Sequence, residues 1–263
     1  MNKKLITVFA LVMFSLLLMG GRALARMGWN TTEASMLMGY RVYSPNGTYD
    51  LGQISNMVVD QSRGRVALVV LSDVPGFGAE RVAIPFGSLG RDFRISFPMD
   101  IQTSFSGREL YGNPYDKAMA VGVVPSSIDS SWVARVYSQY EQIPYWTERG
   151  EHPQMALYKS STFMGGRVDL AQGGAAKVDD LVINCSNGHI PFVTLSNVPG
   201  RTGEVFAVPF SMLSRKGETV FALNVTQDKL VSAPIFSQYE DQGSRAYAEG
   251  VYKYFGVQPY WTE

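Results

Sequence analysis

The sequence predicts a mainly β chain with short helices, arranged as two tandem small β-barrels, each followed by a helical, aromatic-rich tail. Three features lead there. The first is that the chain contains itself twice: residues 71–89, LSDVPGFGAERVAIPFGSL, recur without a gap at 195–213 as LSNVPGRTGEVFAVPFSML. Each copy ends further on in the same pentapeptide, PYWTE, at 144–148 and 259–263. A period of roughly 115 residues is large enough to bury its own core, so the repeat implies a duplicated domain and not a solenoid. The second feature is a series of short apolar runs punctuated at close intervals by Gly and Pro, which favours a small barrel or curled sheet. The third is a change to helical spacing in the last part of each copy.

In chain order, Lys3 and Lys4 precede an apolar run over 5–19 and then Ala23-Leu24-Ala25. A basic start, a run of about 15 apolar residues and an Ala-x-Ala ending form a secretory signal peptide. The run falls short of the roughly 20 residues a spanning helix needs, so cleavage after Ala25 is expected and the mature chain should be soluble, periplasmic or secreted. Cleavage removes Lys3, Lys4 and Arg22 and no acidic residue, so a formally neutral chain becomes one of charge −3. Nothing in that balance steers the protein to nucleic acid or an anionic membrane.

The first unit spans 26–148, a linker 149–156 (RGEHPQMA), and the second unit 157–263. Within them Met38-Gly39 aligns with Met164-Gly165, and 54–60 (ISNMVVD) with 178–184 (VDDLVIN), each reading as a strand that passes from half-buried to buried. The next turn is Arg63-Gly64 in one copy and Asn187-Gly188 in the other. Asn-Gly between apolar runs is a strong hairpin signal, because both residues tolerate positive φ. Return strands follow at 66–71 and 190–195, then strands at 80–84 and 204–208. Pro85 and Pro209 close the latter pair, and proline cannot donate to a ladder, so these positions belong at strand ends or an open edge. Further strands are expected at 93–97 and 219–223.

Asp116-Lys117 and Asp228-Lys229 open comparable segments in the two tails. Residues 130–140 place Val133, Val136, Tyr137 and Tyr140 on one helical face, as 245–255 place Ala248, Val251, Tyr252 and Phe255. Each helix leads to Pro-Tyr-Trp. Trp132, Tyr145, Trp146, Tyr260 and Trp261 are therefore the candidate residues for holding a partner or for packing the tails onto the barrel cores. Tyr and Trp commonly bury most of their area, which favours the packing use.

The Met-Gly start, the G-x-I/V-x-x-hydrophobic strand, the hairpin and the x-V/I-P-F strand end resemble the PRC-barrel family, over about residues 36–97 and 163–223. The tail DKLVSAP at 228–234 and the run FGVQPYW at 255–261 also look like those of bacterial PRC-barrel proteins. The resemblance implies a small all-β barrel used for holding partners in place. Its motifs are glycine, proline and apolar positions, so it transfers no catalytic residue.

Reactive groups are few. The histidines are His152 and His189 and the sole cysteine is Cys185, so no intramolecular disulfide can form. Cys185 and His189 flank the predicted turn and form a conceivable nucleophile pair. Zinc and c-type haem sites need more Cys or His than the chain has. Asp179, Asp180 and Asp228 could offer oxygen ligands but lack any loop spacing for calcium. The glycines at 76–78 and 173–174 do not open helices in the phosphate-binding pattern. No catalytic, cofactor or metal site is expected.

The reading that follows is an exported, non-catalytic tandem PRC-barrel protein that binds another protein or an envelope component, compatible with peripheral membrane association. One alternative is a small-molecule sensor or enzyme with its site between the barrels. The other is an accessory subunit of a membrane-associated electron-transfer complex, by analogy with the reaction-centre member of the family.

Overall fold

The computed structural model describes residues 30–45, 47–89, 100–102, 122–147, 154–236 and 244–262. The expected signal segment, the strand expected at 93–97, the segment at Asp116-Lys117 and residues 149–153 of the expected linker lie outside these. No described helix is long and apolar enough to cross a membrane.

The first half contributes β1 (Thr31–Glu33), α1 (Ala34–Leu37), β2 (Arg41–Tyr43), β3 (Asp50–Asp60), β4 (Arg65–Ser72), β5 (Val82–Pro85), β6 (Asp100–Gln102) and α2 (Ser130–Gln139). The second contributes β7 (Leu157–Lys159), β8 (Arg167–Ala171), β9 (Ala175–Asn184), β10 (Phe192–Ser196), β11 (Phe206–Pro209), β12 (Leu213–Arg215), β13 (Val220–Thr226), α3 (Gln227–Val231) and α4 (Arg245–Phe255). The duplication is visible in the pairing: β3–β4–β5 and β9–β10–β11 are antiparallel ladders, while β6 lies parallel to β2 as β13 does to β8.

Where tandem small barrels are expected, the described strands form two sheets, neither of them closed among the described residues. One runs β5-β4-β3-β2-β6 and the other β11-β10-β9-β8-β13-β12, and no described pairing joins their ends. The prolines supply the reason. β5 and β11 are four residues long and end in Pro85 and Pro209, which lack the N–H a closing ladder needs. Among the described residues each has a single bridging pair on its outer edge, Val82 with Val123 and Phe206 with Ile235, and α2 and α4 pack over β5 and β11. The second return strand also starts later than expected, at Phe192, because Pro191 cannot enter the ladder as a donor.

Each tail helix forms where the apolar spacing puts it. Asp129 caps α2 by accepting from Trp132 N at 2.7 Å, and Ser244 caps α4 by accepting from Tyr247 N at 3.1 Å. Gly256 ends α4 at φ 72°, in the left-handed conformation that suits glycine. Val133, Val136 and Tyr137 of α2 and Ala248, Val251, Tyr252 and Phe255 of α4 are buried against the sheets.

The halves exchange their first strands. β1 leaves its own half and pairs antiparallel with β9, Thr31 opposite Asn184, while β7 pairs with β3, Leu157 opposite Asp60. Asn184 and Asp60 are equivalent positions of the repeat, so the exchange obeys a pseudo-two-fold relation. The flanking bonds obey it too: Cys185 N donates to Asn30 O at 2.7 Å and Gln61 N to Ala156 O at 2.8 Å. A helical turn follows each exchanged strand. Ser35 N, in α1, donates to the Asp180 carboxylate at 3.2 Å, and Ser161 N, in the matching 3-10 turn, donates to Asn56 Oδ1 at 3.4 Å.

Candidate functional site

The repeated residues converge on the seam around this pseudo-dyad. Val66 N donates to Gly188 O at 2.8 Å and Ile190 N to Gly64 O at 2.7 Å, so the two hairpin turns hydrogen-bond each other. Tyr145 and Tyr260 flank these turns. The Tyr145 hydroxyl donates to the buried Asp60 carboxylate at 2.9 Å, and the Arg65 guanidinium lies 4.7 Å from the centre of its ring. Across the seam, Asn184 Nδ2 donates to the Tyr260 hydroxyl at 3.0 Å, and the His189 ring stacks on Tyr260 at 4.0 Å and 12°. Burial, reinforced by the Asp60 charge, pushes the Tyr145 hydroxyl far above its ordinary value, so it remains a donor.

The tryptophans follow the same symmetry. Trp146 meets Tyr137 edge-on at 4.9 Å and 69°, and Trp261 meets Tyr252 at 5.0 Å and 69°. Those tyrosines reach through to the return strands, Tyr137 donating to Ala67 O at 2.9 Å and Tyr252 to Pro191 O at 3.0 Å. Thr147 and Thr262 each turn back to the proline carbonyl of their own motif at 2.7 Å. Pro-Tyr-Trp-Thr is thus a latch that ties tail, helix and seam together. Of the five aromatic candidates, Trp132 and Trp146 are buried, and Tyr145, Tyr260 and Trp261 are half-buried.

Cys185 and His189 stand at the same seam. Cys185 is 6% exposed, with its Sγ 3.9 Å from Ile183 O, and burial pushes its thiol up to about 12. A thiol that stays protonated near neutral pH is a poor nucleophile. Among the described residues no group of three or more His, Cys, Asp or Glu is placed to hold a metal ion. Asp180 anchors the exchanged strand, and Asp228 lies in the first turn of α3, which Thr226 caps.

A different place offers open polar chemistry. A cleft of about 590 Å³ lies between Ser126, Ser127 and Ile128 of the first half and Leu157–Lys159, Thr162 and residues 215–218 of the second. Arg215 lies at its aromatic wall. Its guanidinium sits 3.7 Å from the Tyr158 ring centre and 4.7 Å from those of Phe163 and Phe221. Nε donates to Gln61 Oε1 at 3.2 Å, Nη2 to Thr162 Oγ1 at 3.3 Å, and Nη1 to the Gly217 and Glu218 carbonyls. Burial lowers its pKa, yet guanidinium begins so far above neutrality that it stays a cation. Lys159 and Lys216 project at the same cleft and are exposed. Glu218 is the carboxylate within the lining, and Asp169 reaches Lys216 at 3.9 Å from outside it.

Arg215 belongs to no reactive-group motif, although a signal for it exists in the repeat. The ungapped alignment runs on past Leu89 and Leu213, and Pro-Phe-x-x-Leu-x-Arg then ends in Arg91 and Arg215. Around that shared arginine the copies diverge: Lys159 aligns with Glu33, Lys216 with Asp92 and Gln61 with Cys185. Arg91 and Asp92 lie outside the described residues. No family model matches the chain, and no curated protein matches it.

Proposed function

We infer that this chain is an exported, non-catalytic tandem protein of the PRC-barrel type, acting as a protein-binding or assembly module in the cell envelope. The observation that carries the reading is the division of labour between seam and cleft. Cys185 is held protonated inside the fold, and the repeated aromatics are tied to the chain itself. Open polar groups of both halves meet instead in the cleft beside Arg215, where the neighbouring positions Lys159 and Lys216 align with Glu33 and Asp92 of the other copy. A surface assembled from two halves and lined by cations and hydroxyls is suited to holding a partner.

The experiment has two arms. A photoreactive residue at Ser127 should capture a defined envelope partner, whereas one at Lys253 on α4 should not; equal labelling from both positions would remove the cleft from the reading. Thiol reagents should leave Cys185 unmodified at pH 8 until denaturant is added. Hydrolytic or transfer activity abolished by Cys185→Ala would overturn the non-catalytic assignment.

The alternative of a small-molecule sensor or enzyme draws on one observation. About 590 Å³ is within the size range of small-ligand sites, and the cleft is built from both halves.

A further inference from the structure

The cleft beside Arg215 is a basic feature on a chain of formal net charge 0, which becomes −3 once the expected signal segment 1–25 with Lys3, Lys4 and Arg22 is removed. Three cations line it, Lys159, Arg215 and Lys216, against the single carboxylate of Glu218. The hydroxyls of Ser126, Ser127 and Thr162 complete its polar rim. We propose that this cleft is a docking groove for an acidic, extended polypeptide segment of a partner protein. The proposal rests on the binding reading given above and names the chemistry of the occupant.

Carboxylates follow from the charge, and an extended chain follows from the backbone. β7 and β12 both contribute to the cleft, and both are edge strands among the described residues: β7 pairs with β3 alone and β12 with β13 alone. A sheet edge accepts an added extended segment through main-chain hydrogen bonds. A single compact anion is a poorer fit, because the arginine fork is committed. Arg215 directs Nε and Nη1 at Gln61 and two carbonyls, and one Nη2 bond at Thr162, so it acts as a fixed charge on an aromatic wall. The exposed cations stand on either side of it, Lys159 at the end of β7 and Lys216 just past β12. They can meet successive carboxylates along a chain. Long-range attraction would also speed the encounter and would fall with added salt.

The probe is a fluorescent octaglutamate peptide titrated into the purified protein at low ionic strength. Saturable one-to-one binding that weakens with added chloride is expected. Lys159→Glu combined with Lys216→Glu should weaken it roughly tenfold or more, the scale expected when two exposed ion pairs are converted to repulsions. Lys229→Glu combined with Lys253→Glu makes the same change of charge on α3 and α4 and should leave binding unchanged. Failure to saturate, or equal loss in both double variants, would overturn the groove. Displacement of the peptide by inorganic phosphate beyond that caused by chloride of matched ionic strength would assign the site to a compact anion and overturn the polypeptide. A partner captured at Ser127 that carries no acidic segment would overturn this ligand class while leaving the general binding reading intact.

Discussion

At the scale of single residues, the seam shows how one glycine can be indispensable for two reasons. Gly188 has φ +76°, and a Cβ built there would stand 2.9 Å from Phe86 Cδ1. Gly64, its partner across the pseudo-dyad, has φ +57°, and its Cβ would stand 3.3 Å from Phe210 Cδ1. Both substitutions carry the left-handed penalty of about 1–2 kcal/mol for a residue with a Cβ, and Gly188→Ala adds the tighter contact. Urea denaturation should therefore rank Gly188→Ala below Gly64→Ala; the reverse order would show that Phe86 yields more readily than Phe210.

Asp180 makes the complementary point about charge. Burial raises its pKa, although hydrogen bonds from Ser35 and Leu181 pull the other way, and Asp179 adds repulsion. Glu33 on the exchanged strand is raised too, first by burial and then by Asp180 and Asp179. A proton therefore binds the folded chain more tightly than the unfolded one. That contribution to stability is fully present below the ordinary carboxylate range and is lost as pH rises through the raised folded values. The equivalent position in the first half is Asn56, whose Oδ1 accepts from Met57 N and Ser161 N in the same pattern. Asp180→Asn should thus melt higher than the parent at pH 7, with the gap closing below about pH 4. A constant gap across that range would place the effect outside ionisation.

At the scale of elements, the Pro-Tyr-Trp-Thr latch is used twice at different depths. Trp146 is 8% exposed, whereas Trp261 is half-buried, although both meet a helix tyrosine at nearly the same distance and angle. Trp146→Ala should cost about 3–5 kcal/mol, the range for a buried aromatic. Trp261→Ala should cost less, since its ring already keeps part of its surface in water. Chemical denaturation of the two variants measures the difference, and equal losses would contradict the burial argument. The edge strands carry a second lesson. A four-residue strand closed by proline offers too few donors to zip a sheet shut, so β5 and β11 end the sheets and helices cover them.

At the scale of the molecule, the exchange of β1 and β7 makes the halves mutually dependent. Each sheet lacks a strand without the other half, and the two hairpin turns share hydrogen bonds across the pseudo-dyad. Covalent continuity between the halves is then not what holds them together. A protease site placed within residues 149–153 and cut in the folded protein should leave two fragments that co-elute in gel filtration and unfold in one transition. Separation of the fragments under native conditions would show that the seam is too weak to act as an interface.

The alignment of the two copies was enough to read the hairpins, the tail helices and the latch motif, because each rests on local order: residues that tolerate positive φ, apolar spacing of three and four, prolines that stop strands. The helix over 245–255 and the turn at Asn187-Gly188 needed no distant contact to be legible. The open sheets, the exchanged strands and the Arg215 cleft were decided only in three dimensions. Thr31, Thr32 and Glu33 look in sequence like any short extended segment, and nothing local says that their hydrogen-bond partners lie about 150 residues away in β9. Likewise, the charge of Lys159 and Lys216 reads as ordinary solvated surface until β7 and β12 bring both beside one arginine. Pairing across a long separation depends on which edges the rest of the fold leaves unfilled, and that is a property of the assembled sheets.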